Sequence, residues 1–384
     1  MTEPVIRRVA WTPLRVPLHG SIRAAHGSTA VREVLLVTVE TAAGEVGIGE
    51  AAPLPSYAGG TIAEAAACLR DLAARGMGRS PQWLWDRATD ETIATGGAAG
   101  AARCALETAA ADILARRKEW PVARWLAAGA GWPAPDGAVA VPVQAVIDGA
   151  SLGDCASEAQ RLAREGFGIL KLKAFGDVEG DLERLASARA AAPGAAVRVD
   201  ANGAFTFERA QAFLSRGEEY GIALMEQPLA ASSEDTLAET ARLRRTTSVP
   251  IALDESCRRL RDVEAIIGMG AADAIVVKPM VSGLREALEM LRLAREHGVG
   301  AIVTTTFDAA VGTMAAMALA AALPEPRPVC GLATASRIAH DIATGLPTCH
   351  DGAVRIEARP GLGLTIDEDA VAALRMGPTE EVAA

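Results

Sequence analysis

From about residue 139 onward, short apolar runs alternate with longer stretches that have helical spacing. Stretches such as EDTLAETARLRR (234–245) place Ala, Leu, Arg and Glu at helical intervals. Strands that alternate with helices in this way predict a parallel sheet. The apolar runs are VAVPVQAVI (139–147), GILKLKAF (168–175), AAVRVDAN (195–202), IALMEQP (222–228), PIALDES (250–256), AIVVKP (274–279) and AIVTTT (301–306).

The repeat length of these units predicts a closed barrel. One polar landmark per unit recurs every 24 to 28 residues, about the length of a strand, a helix and two loops. Seven such units in succession favour a (β/α) barrel over a doubly wound sheet, in which the strand order reverses. An eighth, weaker unit is expected at VCGLAT (329–334), and the barrel domain is expected to span residues 137–345. The landmarks are Lys173, Asp200, Glu226, Asp254, Lys278 and Thr304.

The first third of the chain has a different pattern. Two β-like runs flank the turn-forming AAGE at 42–45, which predicts a hairpin. Ala-rich stretches at 62–76 and 98–116 have helical periodicity. We therefore expect a small α+β domain over residues 1–130, and we expect the C-terminal segment 350–384, which lacks the barrel rhythm, to pack back onto it.

Composition restricts the class of protein. The chain has 384 residues, of which 50% are hydrophobic and 22% charged, and this fits a soluble protein with two domains. A net charge of −10 argues against nucleic acid as a partner. The six cysteines lack CxxC spacing, the N-terminus lacks the apolar core of a signal peptide, and no apolar run is long enough for a membrane span. We expect a cytoplasmic enzyme, and a homo-oligomer stays open.

Three consecutive strands end in carboxylates, which are Asp200 in VRVDAN, Glu226 in MEQP and Asp254 in ALDES. In such barrels the carboxyl ends of the strands open onto the active site. Unpaired acids after buried strands are costly, so three converging acids indicate a bound cation. Ligands that are all oxygen favour Mg2+, with Mn2+ as a substitute, over zinc. The alternative for each acid alone is a helix cap or a pair with a nearby arginine.

Lysines provide the second half of the predicted site. Lys171 and Lys173 alternate with Leu172, so both point to one face of their strand. Two adjacent ammonium groups disfavour double protonation, which lowers a lysine pKa toward that of a general base. Lys278 ends the strand in VVKP, on the opposite side of the barrel. The alternative for a lysine at a strand end is an ion pair with a neighbouring acid.

These charges together predict removal of a proton next to a carboxylate. A metal on that carboxylate and an opposed ammonium group would both stabilise the enolate that forms. Asn202 and Glu255 follow two of the acids and would orient them, although ordinary loop hydrogen bonds are an equal alternative. A Schiff-base aldolase would need no three-acid site. A non-catalytic barrel would be expected to have lost one of the six charged residues.

The motifs KLK, VDAN, MEQP, LDES and VVKP, in this order and spacing, resemble the enolase superfamily, in particular its muconate lactonizing enzyme subgroup. With GIGEAAPLPSY (47–57), the resemblance covers nearly the whole chain. It implies a (β/α)7β barrel with an N-terminal α+β capping domain, whose loops at about 16–32 and 53–60 determine specificity. It further implies that Mg2+ is bound by Asp200, Glu226 and Asp254, that Lys173 and Lys278 are catalytic, and that Lys171 tunes Lys173.

Within the subgroup, GEAAPLPSY together with PVCGLATASRIAHD (328–341) looks like the o-succinylbenzoate synthases. Those lyases dehydrate a hydroxycyclohexadiene carboxylate in menaquinone synthesis. The resemblance implies that Lys173 removes the proton and then protonates the departing hydroxyl, while Lys278 stabilises the enolate. Dipeptide epimerases carry an Asp-x-Asp pair near the last strand, which is absent here. N-acylamino acid racemization, dipeptide epimerization and muconate cycloisomerization stay open, and Asp308 is interpreted as a helix N-cap.

Overall fold

The computed structural model describes residues 4–24, 27–55, 57, 60–88, 98–149, 151–231 and 235–384. The N-terminal region forms an antiparallel meander followed by helices. The C-terminal strand, β16 (Glu380–Ala383), pairs with the first strand, β1. The sheet therefore runs in the order β16-β1-β2-β3. The elements of this region are β1 (Ile6–Ala24), β2 (Gly27–Thr41), β3 (Val46–Ala51), α1 (Ile62–Gly76), α2 (Pro81–Arg87), α3 (Ala99–Arg117) and α4 (Val122–Gly129).

Helix α3 packs directly on strand β3 because two glycines remove the side chains between them. A Cβ on Gly47 would lie 2.1 Å from the carbonyl oxygen of Ala109, and one on Gly49 would lie 1.9 Å from that of Ala105. Only glycine permits an approach this close. Almost every residue of α3 is buried as a result, and the helix forms the centre of the capping domain.

The middle of the chain forms a seven-stranded parallel sheet in the order β5 to β11. Alternation of strands and helices produces this arrangement, as the repeat predicted. Its elements are β4 (Val139–Pro142), β5 (Ala145–Ile147), α5 (Leu152–Arg164), β6 (Ile169–Lys173), α6 (Val178–Ala191), β7 (Ala196–Asp200), α7 (Phe207–Gly217), β8 (Ile222–Glu226), α8 (Thr236–Arg244), β9 (Ile251–Leu253), α9 (Leu260–Met269), β10 (Ala274–Val277), α10 (Pro279–Ser282), α11 (Leu284–Glu296), β11 (Gly300–Val303) and α12 (Ala310–Ala322).

The segment at residues 329–334 closes the sheet into a barrel. Cys330 forms a parallel bridge with Val143 on one side, and Gly331 forms one with Thr304 on the other. The amide of Gln144 donates to the Cys330 carbonyl at 2.9 Å, and the amide of Gly331 donates to Val303 at 2.9 Å. The predicted (β/α)7β barrel is therefore confirmed, with a final strand that consists of isolated bridges.

One predicted strand is divided in the structure. The run 139–147 contains β4, which pairs with β14 outside the parallel sheet, and β5, which belongs to the barrel. The remaining C-terminal elements are β12 (Ala343–Thr344), β13 (Cys349–His350), β14 (Ala353–Ile356), β15 (Thr365–Ile366), α13 (Glu368–Leu374) and β16 (Glu380–Ala383). Within the described residues, none of the helices combines the length and apolar character needed to cross a lipid bilayer.

A small apolar layer fills the barrel beneath the strand ends. Since side chains two residues apart in a strand point to the same side, this layer lies directly under the polar residues that follow it. Its members are Leu224, Ala252, Ala274, Val276 and Ile302. Four of them precede Glu226, Asp254, Lys278 and Thr304 by two positions.

Candidate active site

The strand register brings the predicted acids and lysines to one end of the barrel. Lys173, Asp200 and Glu226 are register partners on the neighbouring strands β6, β7 and β8. Asp254 follows β9 directly, and Lys278 follows β10. The three carboxylates are buried, with exposures of 1%, 1% and 3% in chain order, so each needs a partner.

Each carboxylate lies against a lysine. The Lys171 Nζ is 2.8 Å from Asp200 Oδ2 and 2.9 Å from Glu226 Oε1. The Lys173 Nζ is also 2.8 Å from Asp200 Oδ2. On the other side of the barrel, the Lys278 Nζ is 2.7 Å from Asp254 Oδ2. The ion pairs that were the alternative interpretation of the strand-end lysines are therefore present. They form within one group of three lysines and three carboxylates at the same end of the barrel.

The surroundings shift the pKa values of this group in different directions. Burial raises the pKa of Glu226 to about 7, and the neighbouring carboxylates Asp200 and Asp254 add to that effect. Burial also opposes the charge of Asp200, but Lys171 and Lys173 hold the pKa of that carboxyl below its usual range. For Lys171, burial lowers the pKa, yet the nearby carboxylates outweigh it and raise the pKa above its ordinary value. The lowering expected from adjacent ammonium groups is therefore not found at Lys171.

The three carboxylates have the chemistry of a divalent-cation site, although their present partners are lysines. In their present conformations, no three His, Cys, Asp or Glu side chains among the described residues lie close enough together to bind a metal ion. The lysine ammonium groups lie against the carboxylates instead. The donor chemistry does fit Mg2+, since three buried carboxylates offer only oxygen. Burial is the main cause of the raised pKa of Glu226, and a cation beside a buried carboxylate would offset that cost.

Asn202 connects Lys173 to the loop after β9. Its Oδ1 accepts from the Lys173 Nζ at 2.7 Å, and its Nδ2 donates to Glu255 Oε1 at 3.0 Å. Its backbone has a φ of 44°, in the left-handed region that asparagine tolerates better than most residues, and its amide donates to Asp200 Oδ1. Asn202 therefore holds the Lys173 ammonium and the Asp200 carboxylate together.

Gln227 is a positioning residue that the sequence interpretation did not identify. It is fully buried, and its Oε1 accepts from the amides of Asp254 at 3.0 Å and Ser256 at 3.2 Å. Its Nε2 donates to the Leu229 carbonyl at 2.7 Å. These bonds lock the end of β9, which carries Asp254, to the end of β8. The MEQP motif contains this residue, but the sequence gives no sign of its contacts.

The capping domain contributes Tyr57, from the motif GIGEAAPLPSY. Its hydroxyl donates to Asp254 Oδ1. Burial and the adjacent Asp254 carboxylate raise the pKa of the Tyr57 hydroxyl, so it stays protonated and acts as the donor. The sequence resemblance predicts that this loop determines specificity, but it does not single out a residue of the loop. The hydrogen bond to Asp254 shows that Tyr57 is a loop residue in contact with the charged group at the strand ends.

The interpretation of Asp308 as a helix N-cap is wrong. Helix α12 begins after Ala309, with no side-chain cap from its own segment. Glu50 of the capping domain accepts from the amides of Ala309 and Gly312, both at 2.8 Å, and Asp341 accepts from Ala310 at 2.8 Å. Asp308 instead accepts from the Thr306 hydroxyl at 2.6 Å. A carboxyl group from β3 thus occupies the helix terminus, where its oxygens accept from amides that have no partner within the helix.

Glu50 predicts a pH-dependent stability. Burial, with Asp308 nearby, raises its pKa to about 8 in the folded protein. Between its ordinary pKa and about 8, the folded state holds a proton that the unfolded state has lost, so stability falls as pH rises through this range. We expect the melting temperature to drop by about 5 °C between pH 6 and 9, and Glu50→Gln to flatten that slope. Thermal scans across pH measure it, with the exposed Glu357→Gln as control. An unchanged slope in Glu50→Gln would contradict the prediction.

The segment near the last strand has no acid. Residues 329–334 read VCGLAT, and a Cβ on Gly331 would lie 2.5 Å from the Thr304 Oγ1. An aspartate at position 331 would therefore displace Thr304, whose hydroxyl donates to the Gly331 carbonyl at 2.9 Å. Hydroxyls line this side, where Thr305 and Thr334 are hydrogen-bonded at 2.6 Å. Residues 329–334 therefore offer no negative charge for a substrate ammonium group.

Comparison with known proteins places both parts of the chain in one family. Residues 154–370 match the enolase C-terminal domain-like family, and residues 2–127 match the mandelate racemase/muconate lactonizing enzyme N-terminal domain. The chain therefore belongs to the mandelate racemase/muconate lactonizing enzyme family of the enolase superfamily, which confirms the sequence resemblance. It is an enzyme of the lyase or isomerase class, as its relatives are.

Individual relatives differ in the activity for which they are named. An aromatic dipeptide epimerase of Herpetosiphon aurantiacus is 31% identical over 310 residues, which cover 78% of this chain and 81% of that one. An o-succinylbenzoate synthase of Thermobifida fusca is 38% identical over 229 residues, which cover 58% of this chain and 68% of that one. A dipeptide epimerase structure from Cytophaga hutchinsonii, complexed with Mg and D-Ala-L-Val, has a TM-score of 0.88 at 23% identity and covers 98% of this chain and 99% of that one. This last similarity shows the fold alone.

Proposed function

We propose that this chain is a Mg2+-dependent o-succinylbenzoate synthase, a lyase that dehydrates a hydroxycyclohexadiene carboxylate. The observation that carries the proposal is the side of the barrel formed by residues 329–334, which has hydroxyls and no acid. The ammonium group of a dipeptide would find no counter-charge there, whereas a substrate without an ammonium group would need none. The similarity to the Thermobifida fusca enzyme supports this choice.

Asp200, Glu226 and Asp254 would hold the Mg2+. Bound there, the ion would act as a Lewis acid toward the substrate carboxylate. The Mg in the structure of the Cytophaga hutchinsonii epimerase supports the choice of ion. Lys171 stays protonated because the surrounding carboxylates raise its pKa, and it joins the Asp200 and Glu226 side chains.

Lys173 would carry the proton in the dehydration. Its neutral amine takes the proton from the carbon next to the carboxylate, and the ammonium group formed returns that proton to the departing hydroxyl. The C–H and C–O bonds break and a C=C bond forms, with water as the only other product. Lys278, paired with Asp254, would remain protonated and stabilise the negative charge from the opposite side.

The test is incubation of the purified enzyme and Mg2+ with the hydroxycyclohexadiene precursor of o-succinylbenzoate. We expect loss of water and appearance of the aromatic product, followed by NMR. The same enzyme is offered an aromatic dipeptide and an N-acylamino acid in D2O. Negligible dehydration together with rapid exchange and epimerization of either compound would count decisively against the proposal.

Dipeptide epimerization is the second candidate, and one observation favours it. The epimerase of Herpetosiphon aurantiacus matches 78% of the chain, more than the 58% matched by the synthase of Thermobifida fusca. Both reactions start with removal of a proton next to a carboxylate. They differ in that epimerization requires Lys278 to transfer a proton as well: it donates a proton to the opposite face in one direction and removes it in the reverse direction.

A further inference from the structure

The two opposed lysines are held by different parts of the molecule. The Lys173 ammonium group contacts Asp200 and Asn202, which both belong to the barrel. The Lys278 ammonium group contacts Asp254 of the barrel and, on another side, the capping domain. Its Nζ lies 3.5 Å from the centre of the Tyr57 ring. A cation this close to an aromatic face is attracted by the negative charge of the ring face.

Tyr57 is itself fixed at three points. Its hydroxyl donates to Asp254 Oδ1, while Lys278 pairs with Oδ2 of the same carboxylate. Its backbone carbonyl accepts from the Arg258 Nη2 at 2.9 Å, and the Arg258 guanidinium carbon lies 5.9 Å from the ring centre. Tyr57, Lys278 and Asp254 thus form a closed triangle in which each member touches the other two.

The backbone that follows Lys278 also rests on the capping domain. A Cβ on Gly100 of α3 would lie 1.8 Å from the Val281 carbonyl oxygen, so α3 and α10 touch backbone to backbone. The amide of Ala52 donates to the Met280 sulfur at 3.1 Å. The capping domain therefore contacts the Lys278 segment from two directions: through the loop that carries Tyr57 and through α3.

We propose that Tyr57 is the positioning residue for Lys278, so that the capping domain sets one lysine of the site, whereas the partners of the other among the described residues belong to the barrel. The inference rests on the proposed function only for the role of Lys278 in the reaction. Removal of the ring should free Lys278 and leave Lys173 in place. The side-chain exposures suit this distinction, because Lys278 is 11% exposed under the ring and Lys173 is already 32% exposed.

The experiment measures how readily each lysine side chain reacts with an acetylating reagent. Wild type, Tyr57→Leu and Tyr57→Phe are treated briefly with acetic anhydride in Mg2+ buffer, and the acetylation of Lys171, Lys173 and Lys278 is quantified by peptide mass spectrometry. In Tyr57→Leu we expect Lys278 acetylation to rise about fivefold, since the aromatic face is lost, while Lys173 changes less than about twofold. Tyr57→Phe keeps the ring, so we expect Lys278 to stay within about twofold of wild type.

Two results would overturn the inference. One is unchanged Lys278 acetylation in Tyr57→Leu, and the other is a parallel rise at all three lysines, which would make Tyr57 a general cover of the site. Thermal unfolding of each variant verifies folding, and Tyr57→Met replaces Tyr57→Leu if the latter does not fold. The acetylation experiment uses no substrate, so its result can be interpreted even if the enzyme does not catalyse the proposed dehydration. Likewise, the dehydration assay can be interpreted whatever the acetylation result.

Discussion

Lys173→Arg is expected to lower kcat for dehydration by about 1,000-fold or more, because a guanidinium group does not deprotonate in proteins and cannot serve as the base. Lys278→Arg should retain more activity than Lys278→Ala, since its proposed role is a fixed positive charge. Steady-state turnover of the hydroxycyclohexadiene substrate measures both effects. Equal losses in Lys278→Arg and Lys278→Ala would indicate that Lys278 also transfers a proton.

An isotope experiment checks the same assignment without the bulk of arginine. In D2O, Lys278→Ala should still exchange the α-proton of a tightly bound substrate analogue, although slowly, because Lys173 is intact. Lys173→Ala should show no exchange above background. Exchange that survives in Lys173→Ala and disappears in Lys278→Ala would place the base on β10 instead of β6.

Removal of divalent cations is expected to abolish activity, and added Mg2+ or Mn2+ to restore it. The reason is the set of three buried carboxylates, which offer only oxygen ligands. Glu226→Gln removes one ligand charge and should weaken Mg2+ binding, measured by calorimetry, by about 100-fold.

An exposed acid provides the control for that variant. Glu357 pairs with Arg355 and lies outside the group of charged residues at the strand ends. Glu357→Gln should therefore keep Mg2+ affinity within about threefold of wild type. Full turnover in thoroughly chelated enzyme, or equal losses of affinity in the two variants, would contradict the assignment of the metal ligands.

The barrel and its charged residues could be predicted because their signals are local. Each strand is a short apolar run, each ends in one polar residue, and the carboxyl ends of parallel strands meet at one edge. Lys173, Asp200 and Glu226 are register partners for that reason. The same logic places Asp254 and Lys278 at the next two strand ends.

Contacts between distant segments could not be predicted in this way. Glu50 caps a helix 259 residues further along the chain, and Tyr57 bonds to a carboxylate 197 residues away. Both lie in GIGEAAPLPSY, a motif that indicated the family but gave no partner for either side chain. The raised pKa of Lys171 has a similar cause, since it depends on acids that belong to other strands.

The contacts of α3 restrict how a substrate could reach the lysines. This helix meets β3 through Gly47 and Gly49, and it meets α10 through Gly100, each time without a side chain in between. Of these contacts, only the one at Gly100 joins the capping domain to the barrel, and it has no side chain that could change rotamer to let α10 move. We therefore expect substrate entry and release to depend on shorter segments around the mouth of the barrel.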